Sequence, residues 1–74
     1  MSYQGWTNYE TWNIALWVGN EEPTYRAMCE ARPFTPQSAK AFCRTHFGRK
    51  TRDDVRIEDG IIDWEEIADH FNAE

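Results

Sequence analysis

The run Gly5-Trp6-Thr7-Asn8-Tyr9-Glu10-Thr11-Trp12-Asn13-Ile14-Ala15-Leu16-Trp17 gathers three of the chain's four tryptophans into one short segment that also reads as a capped helix. Thr7 stands where an N-cap belongs, and Glu10 follows three residues later, so the pair predicts a reciprocal capping box with Trp6 as its hydrophobic staple. Beyond the cap, Trp12, Ile14, Ala15, Leu16, Trp17 and Val18 put apolar groups on nearly every side. Gly19-Asn20 supplies a left-handed stop. A helix that is apolar nearly all round is a buried one. The expectation is that this helix is the centre around which the rest of the chain assembles.

Three further helices follow from spacing and punctuation. Pro23 suits the first turn of a second helix, carrying Tyr25, Met28, Cys29 and the stem of Arg32 on one stripe until Pro33 stops it. Thr35-Pro36 restarts the chain as cap and first residue. Ala39, Phe42, Cys43, His46 and Phe47 then recur at helical spacing as far as Gly48, a natural C-cap. Asp63 caps the last helix with Glu66, three residues on, completing a second capping box, and Trp64, Ile67, Ala68 and Phe71 follow the i, i+3, i+4, i+7 pattern. Between them, Val55 and Ile57 alternate with Arg56 and Glu58, and Asp59-Gly60 precedes Ile61-Ile62. That stretch reads equally as a short β-hairpin or an extended loop at about 53–62. The fold class is mainly α: a compact bundle of about four short helices, a single small helical domain over 1–74.

Seventy-four residues are near the size at which one core is only marginally sufficient, but 15% aromatic residues lift this chain clear of the disordered class. Each buried aromatic withdraws roughly 150 to 250 Å² from water, so a few large side chains substitute for a larger aliphatic core. No charged leader with an apolar run opens the sequence and no stretch approaches a membrane span. A cytoplasmic protein, monomeric or a small homo-oligomer, is expected, with Cys29 and Cys43 as reduced thiols.

Little in the sequence points to catalysis. Cys43 and His46 share a helix face, and Cys29 is the remaining soft ligand, yet a structural zinc site needs four ligands at paired short spacings. Two buried thiols and a part-buried histidine account for the same residues. A cysteine nucleophile would lack an orienting third group and an oxyanion hole. Glycine-rich phosphate loops are missing, and exposed carboxylates make poor general acids at neutral pH. The reading is a non-enzyme without metal or cofactor.

Charge is the more telling feature. The net charge of −5 is divided between a basic middle and an acidic end. Residues 26–52 hold seven Arg or Lys against Glu30 alone, and residues 53–74 hold nine Asp or Glu against Arg56 alone. The cluster Lys40, Arg44, Arg49, Lys50 and Arg52 suits phosphate contacts. The negative balance argues instead that these cations pair with the acidic segment inside the fold, which disfavours direct nucleic-acid binding. Asp53, Asp54, Glu58, Asp59, Asp63, Glu65, Glu66 and Asp69 are the candidate partner-binding residues. Carboxylates held on a rigid helix resemble a phosphate backbone to a groove lined with Lys and Arg. The plain alternative is an ordinary solvated helix face whose first-turn acids complement the helix dipole.

The opening run, with Asn8-Tyr9-Glu10-Thr11-Trp12-Asn13 at its heart, resembles the signature of a family of small, uncharacterised proteins encoded by bacteriophages and mobile elements. The ending Ile62-Asp63-Trp64-Glu65-Glu66-Ile67 resembles that family's closing helix. The first 20 residues or so match closely and the last dozen loosely, while Tyr25 to Gly60 do not align. The family carries no activity to transfer to any residue, but it implies a phage setting inside a host cell. With the acidic surface, that setting suggests an inhibitor of anti-CRISPR or antirestriction type. Such a protein binds a host defence protein or complex and covers its basic nucleic-acid groove. The rival from another class is a small interaction or regulatory module docking through an aromatic face around Trp17 and Tyr25. A third reading is a DNA binder using Arg44, Arg49, Lys50 and Arg52.

Overall fold

In a computed structural model describing residues 3–73, the chain forms four helices: α1 (Tyr9–Asn20), α2 (Glu22–Ala31), α3 (Pro36–Phe47) and α4 (Trp64–Ala73). This is the mainly α bundle that the periodicities predict. Its hub, however, is α4. That helix packs against α1, α2 and α3, whereas α1 packs against α2 and α4. Ile67, Ala68 and Phe71 of α4 are buried, and Phe71 meets the rings of Phe34 at 5.2 Å and Phe42 at 6.1 Å. One hydrophobic cluster joins these to Ile14, Val18, Met28, Phe34, Ala39, Cys43, Val55, Ile57 and Ile62.

The expectation that α1 is buried all round is corrected. Ile14, Ala15 and Val18 face the core, but Trp12, Leu16 and Trp17 are half-buried, and the other buried positions of the helix are Thr11 and Asn13. The N-cap is Asn8, one residue later than expected. Its Oδ1 accepts from the Thr11 amide at 2.9 Å and the Thr11 hydroxyl at 2.7 Å. Both Thr and Asn cap helices well, and tertiary partners decide between them here. Trp6 accordingly lies beyond the staple position and packs edge-on against His70 of α4 at 4.9 Å. At the other end α1 runs through Asn20 into extended backbone at Glu21, with no left-handed residue.

Elsewhere the local signals hold. Thr35 caps α3 and exchanges hydrogen bonds with Ser38 in a capping box, with Pro36 in the first turn and Gly48 as C-cap. Asp63 caps α4, its Oδ1 accepting from the Glu66 amide at 3.0 Å, but the expected second capping box does not close, because the Asp63 amide donates to the Thr11 hydroxyl and Glu66 Oε1 accepts from the Thr7 amide. The α2–α3 connection, which contains a cis Arg32–Pro33 bond, is clasped from α4. There Asn72 Oδ1 accepts from the Phe34 amide at 2.7 Å and Asn72 Nδ2 donates to the Phe34 carbonyl at 3.0 Å.

Residues 49–62 form an extended loop closed by a single antiparallel bridge between Lys50 and Arg56. The reversal falls at Thr51–Val55, with Asp54 in the left-handed region at φ 68°, not at Asp59-Gly60. Asp59-Gly60 instead makes a tight turn in which the Ile62 amide donates to the Asp59 carbonyl. Val55, Ile57 and Ile62 are the buried anchors of the loop, and Ile61 is 53% exposed. Among the described residues no helix is long and apolar enough to cross a membrane.

Candidate functional site

The Asn-Tyr-Glu-Thr-Trp-Asn segment is a fastening. Thr11 and Asn13, both fully buried, carry its polar work. The Thr11 hydroxyl accepts from the Asp63 amide at 2.9 Å while it donates to Asn8. Asn8 Nδ2 donates to the Ile61 carbonyl at 2.7 Å. Thr7, displaced from the cap, donates its amide to Glu66 Oε1 at 3.0 Å and its hydroxyl to Asp63 Oδ2 at 3.3 Å. The residues leading into α1 and α4 thus have their amides, those of Thr7 and Asp63, satisfied by side chains of the opposite helix, while each first turn is capped by its own Asn8 or Asp63.

Asn13 makes the second fastening. Its Oδ1 accepts from the Thr51 hydroxyl at 2.7 Å, and its Nδ2 donates to Asp53 Oδ2 at 2.8 Å. The indole Nε1 of Trp17 donates to the same carboxylate oxygen at 3.0 Å, and the Arg52 guanidinium lies 5.5 Å above the Trp17 ring. Both interactions engage Trp17 within the fold, so the aromatic surface left open lies elsewhere. Tyr3 and Tyr9, each 37% exposed, form it with half-buried Trp12, with ring centroids 4.8 to 5.6 Å apart. The Tyr9 hydroxyl is shifted to higher pKa, first by loss of hydration and then by the neighbouring negative charge of Asp53.

The eight candidate carboxylates divide into three groups. Glu58 is paired with both Lys40 (2.9 Å) and Arg44, and Asp54 with Lys50 (2.8 Å). The Lys50 contact, hydrogen bond and charge together, holds the Asp54 carboxyl below its ordinary pKa. Asp53, Asp59, Asp63 and Glu66 are hydrogen-bonded to neutral donors: Asn13 and Trp17, the Ile61 amide, the Glu66 amide with the Thr7 hydroxyl, and the Thr7 amide. Such bonds fix a carboxylate in place without cancelling its charge. Glu65 and Asp69 are exposed on α4 and make no hydrogen bond or ion pair among the described residues. Asp59, Asp63, Glu65, Glu66 and Asp69, on α4 and the turn that leads into it, are therefore left without a paired Lys or Arg among the described residues. The fold withdraws Asp54 and Glu58 into ion pairs, and ties Asp53 to α1.

The basic middle is partly absorbed by this pairing, as the charge balance suggests. Arg52 reaches Glu21 at 2.8 Å, and Arg26 pairs with Glu22 at 2.5 Å. Arg49 and Arg56 are exposed and without an ion pair among the described residues. With Arg44, Lys50, Gly48, Ile57 and Glu58 they line a cleft of about 680 Å³. Arg56, which the sequence places in the acidic third, is the residue missed by reading charge in blocks. The signal for it was the alternation at Val55 and Ile57, which turns Arg56 outward between two buried anchors.

Among the described residues no group of three or more His, Cys, Asp or Glu is placed to hold a metal ion. Cys43 is buried and His46 exposed, its ring against Phe42 at 4.3 Å. Burial pushes the Cys43 thiol far above its ordinary pKa, the reverse of what a nucleophile needs.

Neither a curated protein nor a solved structure matches the chain. One family model matches residues 1–73, nearly the whole sequence, including both segments that form the interlocked helix starts, and the chain belongs to that family, DUF7249, a family of unknown function.

Proposed function

We propose that the protein is a small non-catalytic inhibitor that docks through the acidic face at the start of α4 onto the basic nucleic-acid groove of a host defence protein. The observation that carries this reading is the set Asp59, Asp63, Glu65, Glu66 and Asp69, five carboxylates without a paired Lys or Arg among the described residues. Asp63 and Glu66 are held in position by Thr7. Fixed negative charge is what a groove built for phosphates attracts, and it speeds encounter with such a partner. The resemblance of the opening run to phage-encoded proteins supplies the setting.

The test is retention of a partner from host lysate on tagged wild-type protein and on the double variant E65K/D69K. Neither side chain has a partner to lose among the described residues, so the variant should keep its helical circular dichroism. The expected result is a nucleic-acid-binding protein retained by the wild type, released by moderate salt. The variant should associate at least about tenfold more slowly. Undiminished retention by E65K/D69K, with loss instead on Tyr9→Ala, refutes the acidic face and transfers docking to the Tyr3–Tyr9–Trp12 surface.

A further inference from the structure

We propose that the cleft between the end of α3 and the 49–57 loop is a second, independent binding site, for a phosphate ester. The backbone builds it. The Thr51 amide donates to the Val55 carbonyl at 2.9 Å and the Ile57 amide to the Arg49 carbonyl at 2.8 Å, bracketing the Lys50–Arg56 bridge. This pattern makes Lys50 and Arg56 a non-hydrogen-bonded antiparallel pair, the register that brings opposing side chains closest and on one face. Like charges placed directly opposite destabilise a ladder. An anion seated between them removes that repulsion.

Two further cations, Arg44 and Arg49, line the same cleft. Gly48, at φ 75° and ψ −126°, turns the chain sharply out of α3 so that Arg49 follows directly, and Arg44 lies one helical turn before the cap. Four cations therefore line the cleft. Glu58 is the one carboxylate in its lining, and it is already shared by Lys40 and Arg44. Asp54 neutralises Lys50 in part from the turn. Arg49 and Arg56 keep their guanidinium donors available, and a planar fork of N–H groups matches phosphate oxygens two at a time. The volume of about 680 Å³ is in the range of sites for small organic ligands. It accommodates a phosphate or diphosphate with the group esterified to it. The site does not depend on the acidic face: its residues are not among the five unpaired carboxylates.

The experiment is a nuclear magnetic resonance titration of uniformly labelled full-length protein with sodium pyrophosphate at constant ionic strength. A parallel arm uses a short 5′-phosphorylated DNA oligonucleotide. Saturable shifts are expected at Arg44, Gly48, Arg49, Lys50, Arg56, Ile57 and Glu58, with the Arg49 and Arg56 side-chain N–H resonances among them. R49Q and R56Q, at exposed positions whose side chains have no partner among the described residues, should each weaken binding about tenfold while leaving the helical spectrum intact. E65K/D69K should bind pyrophosphate as the wild type does, which separates this site from the acidic face. Saturation by pyrophosphate shows that the phosphate groups of a free small molecule suffice for binding, and saturation by the oligonucleotide alone identifies a nucleic-acid phosphate. Shifts that never saturate in either arm, or that survive R49Q/R56Q unchanged, overturn the proposal.

Discussion

Replacing Asn13 by Ala should unfasten the 49–62 loop from α1 and cost more than any other polar-to-alanine change in the helix. The amide is fully buried, and its removal strands partners on both sides. The Thr51 hydroxyl loses its acceptor at 2.7 Å, a neutral bond worth about 1 kcal/mol. The bond from Nδ2 to the Asp53 carboxylate at 2.8 Å is charge-assisted and worth about 1.5–2 kcal/mol. The space left by the amide adds about 1 kcal/mol as a partly collapsed cavity. The total is about 3.5–4 kcal/mol, a large part of the roughly 4–11 kcal/mol available to a domain of this length. In thermal unfolding followed by far-ultraviolet circular dichroism, that corresponds to a midpoint lower by about 15–25 °C. Asp53→Ala, which leaves the Asn13 amide and the Trp17 indole without their acceptor, should couple to it by about 1.5 kcal/mol in a double-mutant cycle. A midpoint shift under about 5 °C, or purely additive variants, would refute the claim that this polar node holds the loop to the helix.

Other expectations rest on single positions. Cys43, buried and with its pKa raised by loss of hydration, should resist a thiol reagent under native conditions while half-buried Cys29 reacts; equal rates would show that α3 opens readily. The same shift has a sign in pH. A thiol harder to ionise in the folded state contributes stability that is complete below its ordinary pKa of 9.0 and is lost as pH rises above it, by up to about 1.4 kcal/mol per pH unit. Denaturant midpoints that fall less steeply above pH 9 in Cys43→Ala than in the wild type would bear this out. Gly48→Ala should cost about 1–3 kcal/mol through backbone alone, because a Cβ there meets nothing within 4 Å while φ 75° strains it. Gly60→Ala, equally open but without positive φ, should be neutral or slightly stabilising, and equal losses at the two glycines would contradict this account.

The sequence by itself determined what depends on neighbours along the chain. Four helices, the Thr35-Pro36 and Asp63 starts, the Gly48 stop and the Ile67-Ala68-Phe71 stripe follow from capping chemistry and a 3.6-residue period, which act within one or two turns. Charge balance likewise foretold that the basic middle would pair with the acidic end, as Lys40 and Arg44 do with Glu58 and Lys50 with Asp54. Only the tertiary structure decided between Thr7 and Asn8 as cap, because the winner depends on the Asp63 and Ile61 backbone, more than fifty residues away. It also decided that α4 is the hub and that Asn13 is a buried node in place of one more polar residue on an apolar helix. The same limit governs the candidate sites. Eight carboxylates look alike in a string of letters, whereas their charges are cancelled or left standing by partners that arrive from other elements. Arg56 lies within the acidic third, yet a single antiparallel bridge sets it opposite Lys50. Short-range preferences write the elements, but a hydrogen bond or an ion pair between distant residues exists only once packing has fixed the distance.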